Sequence, residues 1–183
     1  MAIIDLLQAN QYLLITVCTV LGLLVGSFLN VVVYRLPVML QREWKAQCCE
    51  YLEIENTTPD ANESSAKFKT FNLVKPDSHC PSCNHKIRSW ENIPVVSYLF
   101  LGGKCSNCKS GISLRYPSVE FTSGLMSALV AASFGATWLT LALLCLSWSL
   151  LVLTLIDYDH QLLPDNITLP LLWLGLLVNT FDL

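Results

Sequence analysis

The sequence predicts an all-α polytopic membrane protein, with about four transmembrane helices in these 183 residues, more in the parent protein, and a cysteine-bearing polar insertion between the first and second helices. Three observations predict it. Apolar residues make up 53% of the chain and charged residues 14%, against roughly 25% charged in an average soluble domain. The apolar residues fall into long, almost uncharged blocks, while the basic residues crowd into the one polar segment between two of them. That segment also holds four of the eight cysteines, as two C-x-x-C pairs. The apolar fraction excludes a disordered chain, the length excludes a disulfide-stapled mini-protein, and a formal charge of −3 gives no reason to expect nucleic acid as a partner.

Tyr12 to Tyr34 carries no charged side chain, and at about 1.5 Å per residue such a stretch crosses a hydrocarbon core. No Lys or Arg precedes it, so the basic start of a cleaved signal peptide is missing and the segment is expected to remain as the first helix, in a unit of residues 1–36. Val119 to Ile156 holds one charge, Glu120; the block is too long for one crossing and fits two, with Gly135-Ala136-Thr137 as the turn. Asn166 opens a fourth apolar segment, which completes a unit of residues 118–183. The polar insertion, 37–117, begins with a stretch rich in Glu, Asn, Thr and Ser (Glu50 to Ser65) that reads as a mobile surface segment. Arg35, Arg42, Lys45, Lys67, Lys69, Lys75, Lys86, Arg88, Lys104, Lys109 and Arg115 are all the basic residues, and all lie in this insertion or at its edge. The positive-inside rule therefore puts the insertion in the cytoplasm and the N-terminus on the far side. Tracing onward, Ile156-Asp157-Tyr158-Asp159-His160 emerges at the cytoplasmic face.

The cysteine pairs are Cys80-Pro81-Ser82-Cys83 and Cys105-Ser106-Asn107-Cys108, and their surroundings repeat: CPSCNHKI against CSNCKSGI. Each C-x-x-C turn delivers two thiolates, and two facing turns make the tetrahedral set that structural zinc requires, with no position left open for catalysis. The insertion is thus expected to be a cytoplasmic zinc-knuckle module with Cys80, Cys83, Cys105 and Cys108 as ligands. Two disulfides, disfavoured in a reducing compartment, or four unconnected thiols are the alternatives. His79 and His85 stand close enough in sequence to substitute as ligands. Cys18 and Cys145 read as buried small apolar residues, and Cys48-Cys49 as loop thiols.

Asp157 follows directly on an apolar run, where a charge is either the mark of a helix end at the interface or a functional group. Asp165 precedes Asn166-Ile167-Thr168 and is expected to N-cap the fourth helix; Asp159 is expected to face solvent. In one continuous helix Asp157 and Asp165 would stand about 12 Å apart, too far to share a proton, which needs carboxyl groups about 3 Å apart. A catalytic Asp157 therefore needs a partner from elsewhere. Asn30 is read as an interhelical hydrogen-bonding residue and Gly22 with Gly26 as a small-xxx-small packing pair. Glu120 is read as an acid at a helix start, and Gly102-Gly103 as a tight turn.

Together, Gly26-Ser27-Phe28-Leu29-Asn30-Val31-Val32-Val33-Tyr34-Arg35-Leu36-Pro37, the two C-x-x-C pairs, Arg115-Tyr116-Pro117-Ser118-Val119-Glu120 and IDYDHQLLPD resemble the bacterial type IV prepilin leader peptidases, in the same order along nearly the whole chain. The resemblance implies a multi-pass inner-membrane aspartic endopeptidase whose substrates are type IV prepilins and the pseudopilins of type II secretion. It also implies N-methylation of the trimmed product with S-adenosylmethionine as donor. Carried over by motif, Asp157 is the first catalytic aspartate, eight residues before the Asp of Leu163-Pro164-Asp165, and the four cysteines are the family's cytoplasmic tetracysteine site. The second catalytic aspartate of that family belongs to a later Gly-x-Gly-Asp element, which this sequence does not contain. The chain is accordingly expected to be C-terminally truncated and, as given, unable to cleave by a two-aspartate mechanism. Two alternatives stand beside this reading: a non-catalytic zinc-binding membrane scaffold, and a metal transporter, the latter opposed by the expected lack of a buried acidic or histidine pathway in the first three helices.

Overall fold

The computed structural model describes residues 2–52 and 71–180. These residues are helical, with no strand longer than an isolated bridge. The elements are α1 (Ala2–Ala9), α2 (Gln11–Tyr51), a 3-10 turn (Ser89–Asn92), α3 (Val96–Phe100), α4 (Arg115–Phe134), α5 (Trp138–His160) and α6 (Asp165–Thr180). The Glu50 to Ser65 stretch lies, beyond Leu52, outside the described residues.

Asn10 separates α1 from α2, its side chain accepting the Leu13 N–H as an N-cap. α2 then runs on past Leu36, where the sequence placed the start of the insertion, to Tyr51. Pro37 sits inside it, fully buried, and costs the helix one main-chain hydrogen bond. The residues beyond are good helix formers, Gln41-Arg42-Glu43-Trp44-Lys45-Ala46, so polarity here does not end the helix. Cys48 and Cys49 consequently lie on α2 and are not loop thiols. The expected turn at Gly135-Ala136-Thr137 is present: Gly135 has φ +63, and Thr137 caps α5 by accepting the Thr140 N–H.

The core is a three-helix contact built outward from glycine. Gly22 and Gly26 press α2 onto α4, a Cβ on Gly26 meeting the Glu120 Cα at 2.8 Å. Close approach lets polar groups bridge the helices: Ser123 Oγ donates to the Gly22 carbonyl (2.7 Å) and Trp148 Nε1 of α5 to Ser127 Oγ (3.0 Å), while Ser127 Oγ itself donates back to the Ser123 carbonyl within α4 (2.8 Å). Around this seam Leu29, Val32, Val33, Leu36, Val119, Val152 and Ile156 form one apolar cluster, and Leu14, Cys18, Ala131 and Leu144 another. Cys18 is buried as expected, whereas Cys145 faces outward. α6 rests on α5 and buries no residue of its own.

Among the described residues two helices, Gln11–Tyr51 and Trp138–His160, are long and apolar enough to cross a membrane. α4 and α6 occupy the places of the other two expected spans; α4 is enriched in Ser and Gly where it meets α2, and α6 has 16 residues.

Candidate metal centre and acidic site

The duplicated sequence folds as a duplicated structure. In the first knuckle the Cys80 N–H donates to the His85 carbonyl and the Asn84 N–H to the Cys80 carbonyl; in the second, the Cys105 N–H donates to the Ser110 carbonyl and the Lys109 N–H to the Cys105 carbonyl. The residue after each second cysteine takes a left-handed conformation, Asn84 at φ +53 and Lys109 at φ +60. A bridge closes each loop, His79 with Lys86 and Lys104 with Gly111. Gly102 (φ +59) and Gly103 (φ +68) form the expected turn into the second knuckle.

The two knuckles face each other. All four Sγ atoms lie within 4.8 Å of one another, with Cys80 to Cys108 at 3.7 Å and Cys83 to Cys105 at 4.0 Å. A tetrahedron with about 2.3 Å bonds from metal to sulfur has edges of about 3.8 Å, so the donor set fits such an ion. Those distances are far beyond a bond of about 2.05 Å, and the four cysteines are free thiols. The Ser82 main chain, then the Ser110 hydroxyl and the Cys83 main chain, draw the Cys80 thiol down to about 6. The Ser110 hydroxyl pulls Cys108 down as well. Cys83 is hydrogen-bonded by the His85 main chain, but burial and the neighbouring thiols hold it above its ordinary value. The two histidines stand outside the cluster: His79 Nδ1 lies 3.1 Å from the Asp77 carbonyl, and His85 Nε2 lies 3.8 Å from Glu91.

The acidic residues gather where α5 ends. Asp157 is exposed in its last turn, and its carbonyl accepts the N–H of Gln161, whose left-handed conformation (φ +50) stops the helix. Asp159 is not simply solvent-facing. Its carboxylate takes both arms of Arg115, Nη1 to Oδ1 at 3.0 Å and Nη2 to Oδ2, which ties the end of α5 to the start of α4. Asp165 is not the N-cap of α6: the helix begins with it, and the Pro164 carbonyl accepts the Ile167 N–H at 3.1 Å and the Thr168 N–H at 3.2 Å. Asp165 keeps a favourable place in the first turn, where an acid meets the positive end of the helix dipole.

Asn30 Nδ2 donates to the Tyr116 carbonyl across the α2–α4 contact (3.1 Å), as an interhelical residue should. Glu120 differs from expectation. It lies a turn and a half into α4 and not at its start, it is buried, and its Oε2 accepts the Val95 N–H at 2.7 Å. Glu120 is thus one buried acid within the first three helices. One carboxylate fastened to a main-chain N–H is still no transport pathway. Arg35, which the sequence offered only as a marker of orientation, is buried and bonded to three carbonyls of the insertion. Its position at the very end of an uncharged helix run is the signal that could have singled it out.

Comparison with known proteins agrees with this arrangement. The bacterial peptidase A24 N-terminal domain matches residues 20–134, and the type IV leader peptidase family matches residues 143–183. A Pseudomonas aeruginosa prepilin leader peptidase/N-methyltransferase is 55% identical over 184 residues, 100% of this chain and 60% of that protein. The protein of the same name from Stutzerimonas stutzeri is 52% identical over 98% of this chain and 60% of its own length, and that from Neisseria gonorrhoeae 51% over 90% and 55%. This chain spans about 60% of the length of the curated relatives it matches. No solved structure matches. The two family matches, with the tetracysteine cluster inside the first and the Asp157 run inside the second, place this chain in the type IV leader peptidase family.

Proposed function

We propose that the complete protein is an inner-membrane aspartic endopeptidase that removes the leaders of type IV prepilins and type II secretion pseudopilins at the cytoplasmic face and N-methylates the residue so exposed. The observation that carries this reading is the leader-peptidase family match across residues 143–183, which contains Asp157 at the exposed end of α5. Asp157 supplies one carboxylate of a pair. One member, ionised, takes a proton from water as it attacks the scissile carbonyl; the other, protonated, donates to the carbonyl oxygen. No Gly-x-Gly-Asp element occurs in these 183 residues, and the partner carboxylate belongs to the part of the protein that lies beyond them.

α2, α4, α5 and α6 each cross the bilayer in this reading, with the insertion cytoplasmic. Leu24, Phe28, Phe121, Leu125, Leu129 and Leu141 turn outward along these helices, an apolar surface suited to lipid and adverse in water. The tetracysteine cluster holds structural zinc. Its role is to fold the insertion, since four thiolates leave no open coordination position.

S-adenosylmethionine supplies the methyl group. The cavities between α5 and α6, about 480 and 260 Å³, do not fit it: they are lined by leucines with Ala142, Gly175 and Val178, or by Cys145, Ser149 and Asn166, and present no charged side chain to its carboxylate or sulfonium.

The test is Asp157→Asn in the complete protein, assayed for leader cleavage in membranes. Loss of cleavage by a factor of about 10³ or more, with zinc content and membrane insertion unchanged, is the expected result. Unchanged cleavage overturns the assignment of Asp157 as a catalytic carboxylate, and a complete protein that cleaves no leader before substitution leaves the non-catalytic zinc scaffold.

A further inference from the structure

Two opposite charges occupy the faces where α2 and α4 meet the insertion. Arg35 and Glu120 are each only 8% exposed. Buried charges are costly unless compensated, and the simplest compensation for such a pair is each other. Among the described residues neither forms an ion pair. Each instead holds main chain of the insertion.

The Arg35 guanidinium donates to the carbonyls of Asn72 (3.0 Å), Leu73 (3.3 Å) and Pro76 (2.6 Å), with the Phe71 ring centred 5.8 Å away. The Glu120 carboxylate accepts the Val95 N–H (2.7 Å). Val95 has φ +58 and ψ −45, a positive-φ conformation outside the left-handed helical region that a β-branched residue takes only where its surroundings impose it.

These two anchor points bracket the first knuckle. Pro76 precedes Cys80, and Val95 lies between Cys83 and Cys105. The path from each anchor to the cysteines is short and hydrogen-bonded. Ser78 accepts the Ile87 N–H, Arg88 N–H donates to Glu91, and Tyr98 OH donates to the Ile112 carbonyl beside the second knuckle. The segment that the four cysteines fold is the segment that the two buried charges grip.

We propose that Arg35 and Glu120 are docking residues that couple metal occupancy of the tetracysteine cluster to the seating of the insertion on the α2–α4 pair. The inference rests on the reading of that cluster as a metal site. With metal bound, the knuckles hold the 72–76 and Val95 main chain in the positions that satisfy both charges. Without it, that main chain loosens and the charges lose their partners. Coupling of this kind is reciprocal, so undocking must weaken metal binding by the same factor by which metal loss weakens docking.

The experiment uses the 183-residue chain in detergent micelles with zinc as the probe. Zinc affinity is measured by chelator competition, and main-chain protection by hydrogen exchange with mass spectrometry. Arg35→Met and Glu120→Ala are each expected to weaken zinc binding at least about fivefold, the lower end of ordinary coupling. Glu120→Gln, which keeps an acceptor and drops the charge, falls between Glu120→Ala and the unaltered chain. Zinc removal is expected to raise exchange in peptides covering 72–76 and 95. Ser127→Ala, in the bundle seam, leaves zinc affinity unchanged. If Arg35→Met fails to fold, the graded Glu120 pair carries the measurement alone. Zinc bound at one per chain with unaltered affinity in the docking variants, or full protection of those peptides after zinc removal, overturns the coupling and leaves the metal site standing. An unaltered chain that binds no zinc overturns both.

Discussion

Gly26→Ala tests whether the α2–α4 contact is set by glycine. The new Cβ would lie 2.8 Å from the Glu120 Cα, 3.0 Å from the Ser123 Cβ and 3.3 Å from the Glu120 carbonyl oxygen. Carbon atoms settle at about 3.5–4.0 Å, so the helices must part by roughly 0.7–1.2 Å. Two of the three atoms are main chain and cannot rotate away. Overpacking of this kind costs about 1–3 kcal/mol. The same change at Gly175 on α6 meets nothing within 4 Å, and there the only effect is the gain from replacing glycine inside a helix, about 0.5–1 kcal/mol of stabilisation. Gly26 also lies inside a helix, so that gain is common to both and the two variants should differ by the overpacking cost alone, about 1–3 kcal/mol. Detergent-solubilised chain followed by tryptophan fluorescence during thermal unfolding reads this directly, each kcal/mol moving Tm by about 2–4 °C at this size. Equal Tm values for the two variants would refute the close-contact account of the seam, whatever their common value.

Cys83→Ser should lower bound zinc from one per chain to a small fraction by metal analysis, with helix content by circular dichroism preserved, because the apolar clusters of α2, α4 and α5 contain no residue of the knuckles. The Arg115–Asp159 pair is partly exposed, 44% and 24% for the two side chains, so a double-alanine cycle should return a coupling of about 0.2–1 kcal/mol; a value above about 2 kcal/mol would contradict that exposure. In the metal-free chain, Cys80 is drawn down from 9.0 to about 6. A depressed thiol contributes stability that is complete only above its unfolded value and is lost as pH falls from about 9 through about 6. Alkylation of Cys80, mapped by mass spectrometry, should therefore lose half its rate near pH 6, while Cys83, held above the ordinary thiol range, should lose its own at a higher pH than a free cysteine. Coincident profiles for the two thiols would refute the assignment.

What could be read from the sequence was what depends on near neighbours. The Gly135 turn, the Gly102-Gly103 turn and the two knuckles follow from local backbone demands, and each is where the residues put it. The packing role of Gly22 and Gly26 follows from helical spacing alone. What could not be read depends on residues distant in the chain. Polarity after Leu36 looked like the end of a helix, yet helix propensity and the burial of Pro37 carry α2 to Tyr51. Asp159 looked free because its partner, Arg115, is 44 positions earlier. Glu120 looked like a helix-start acid because nothing local shows that α4 begins at Arg115 or that Val95 would come to meet it. Asp165 was displaced from the cap by one residue, since the Pro164 carbonyl takes the first bond of α6.

The motifs that carry no cysteine and no Asp157 converge on one junction, and this explains why they contain the residues they do. On α2, Gly26 admits the Glu120 main chain, Asn30 holds the Tyr116 carbonyl and Arg35 holds the start of the insertion. On α4, Arg115 takes Asp159 and Glu120 takes Val95. A side chain larger than glycine at position 26 would push Glu120 away from Val95, so the apolar seam and the polar anchors cannot be tuned separately. The same α4 segment that receives the insertion at Glu120 receives the end of α5 at Arg115, five residues earlier. A displacement of α4 along its axis therefore moves the cysteine module and the Asp157 turn together. The separation between the metal centre and the acidic site is fixed by one helix segment, and a substitution there should disturb both sites even though it touches neither.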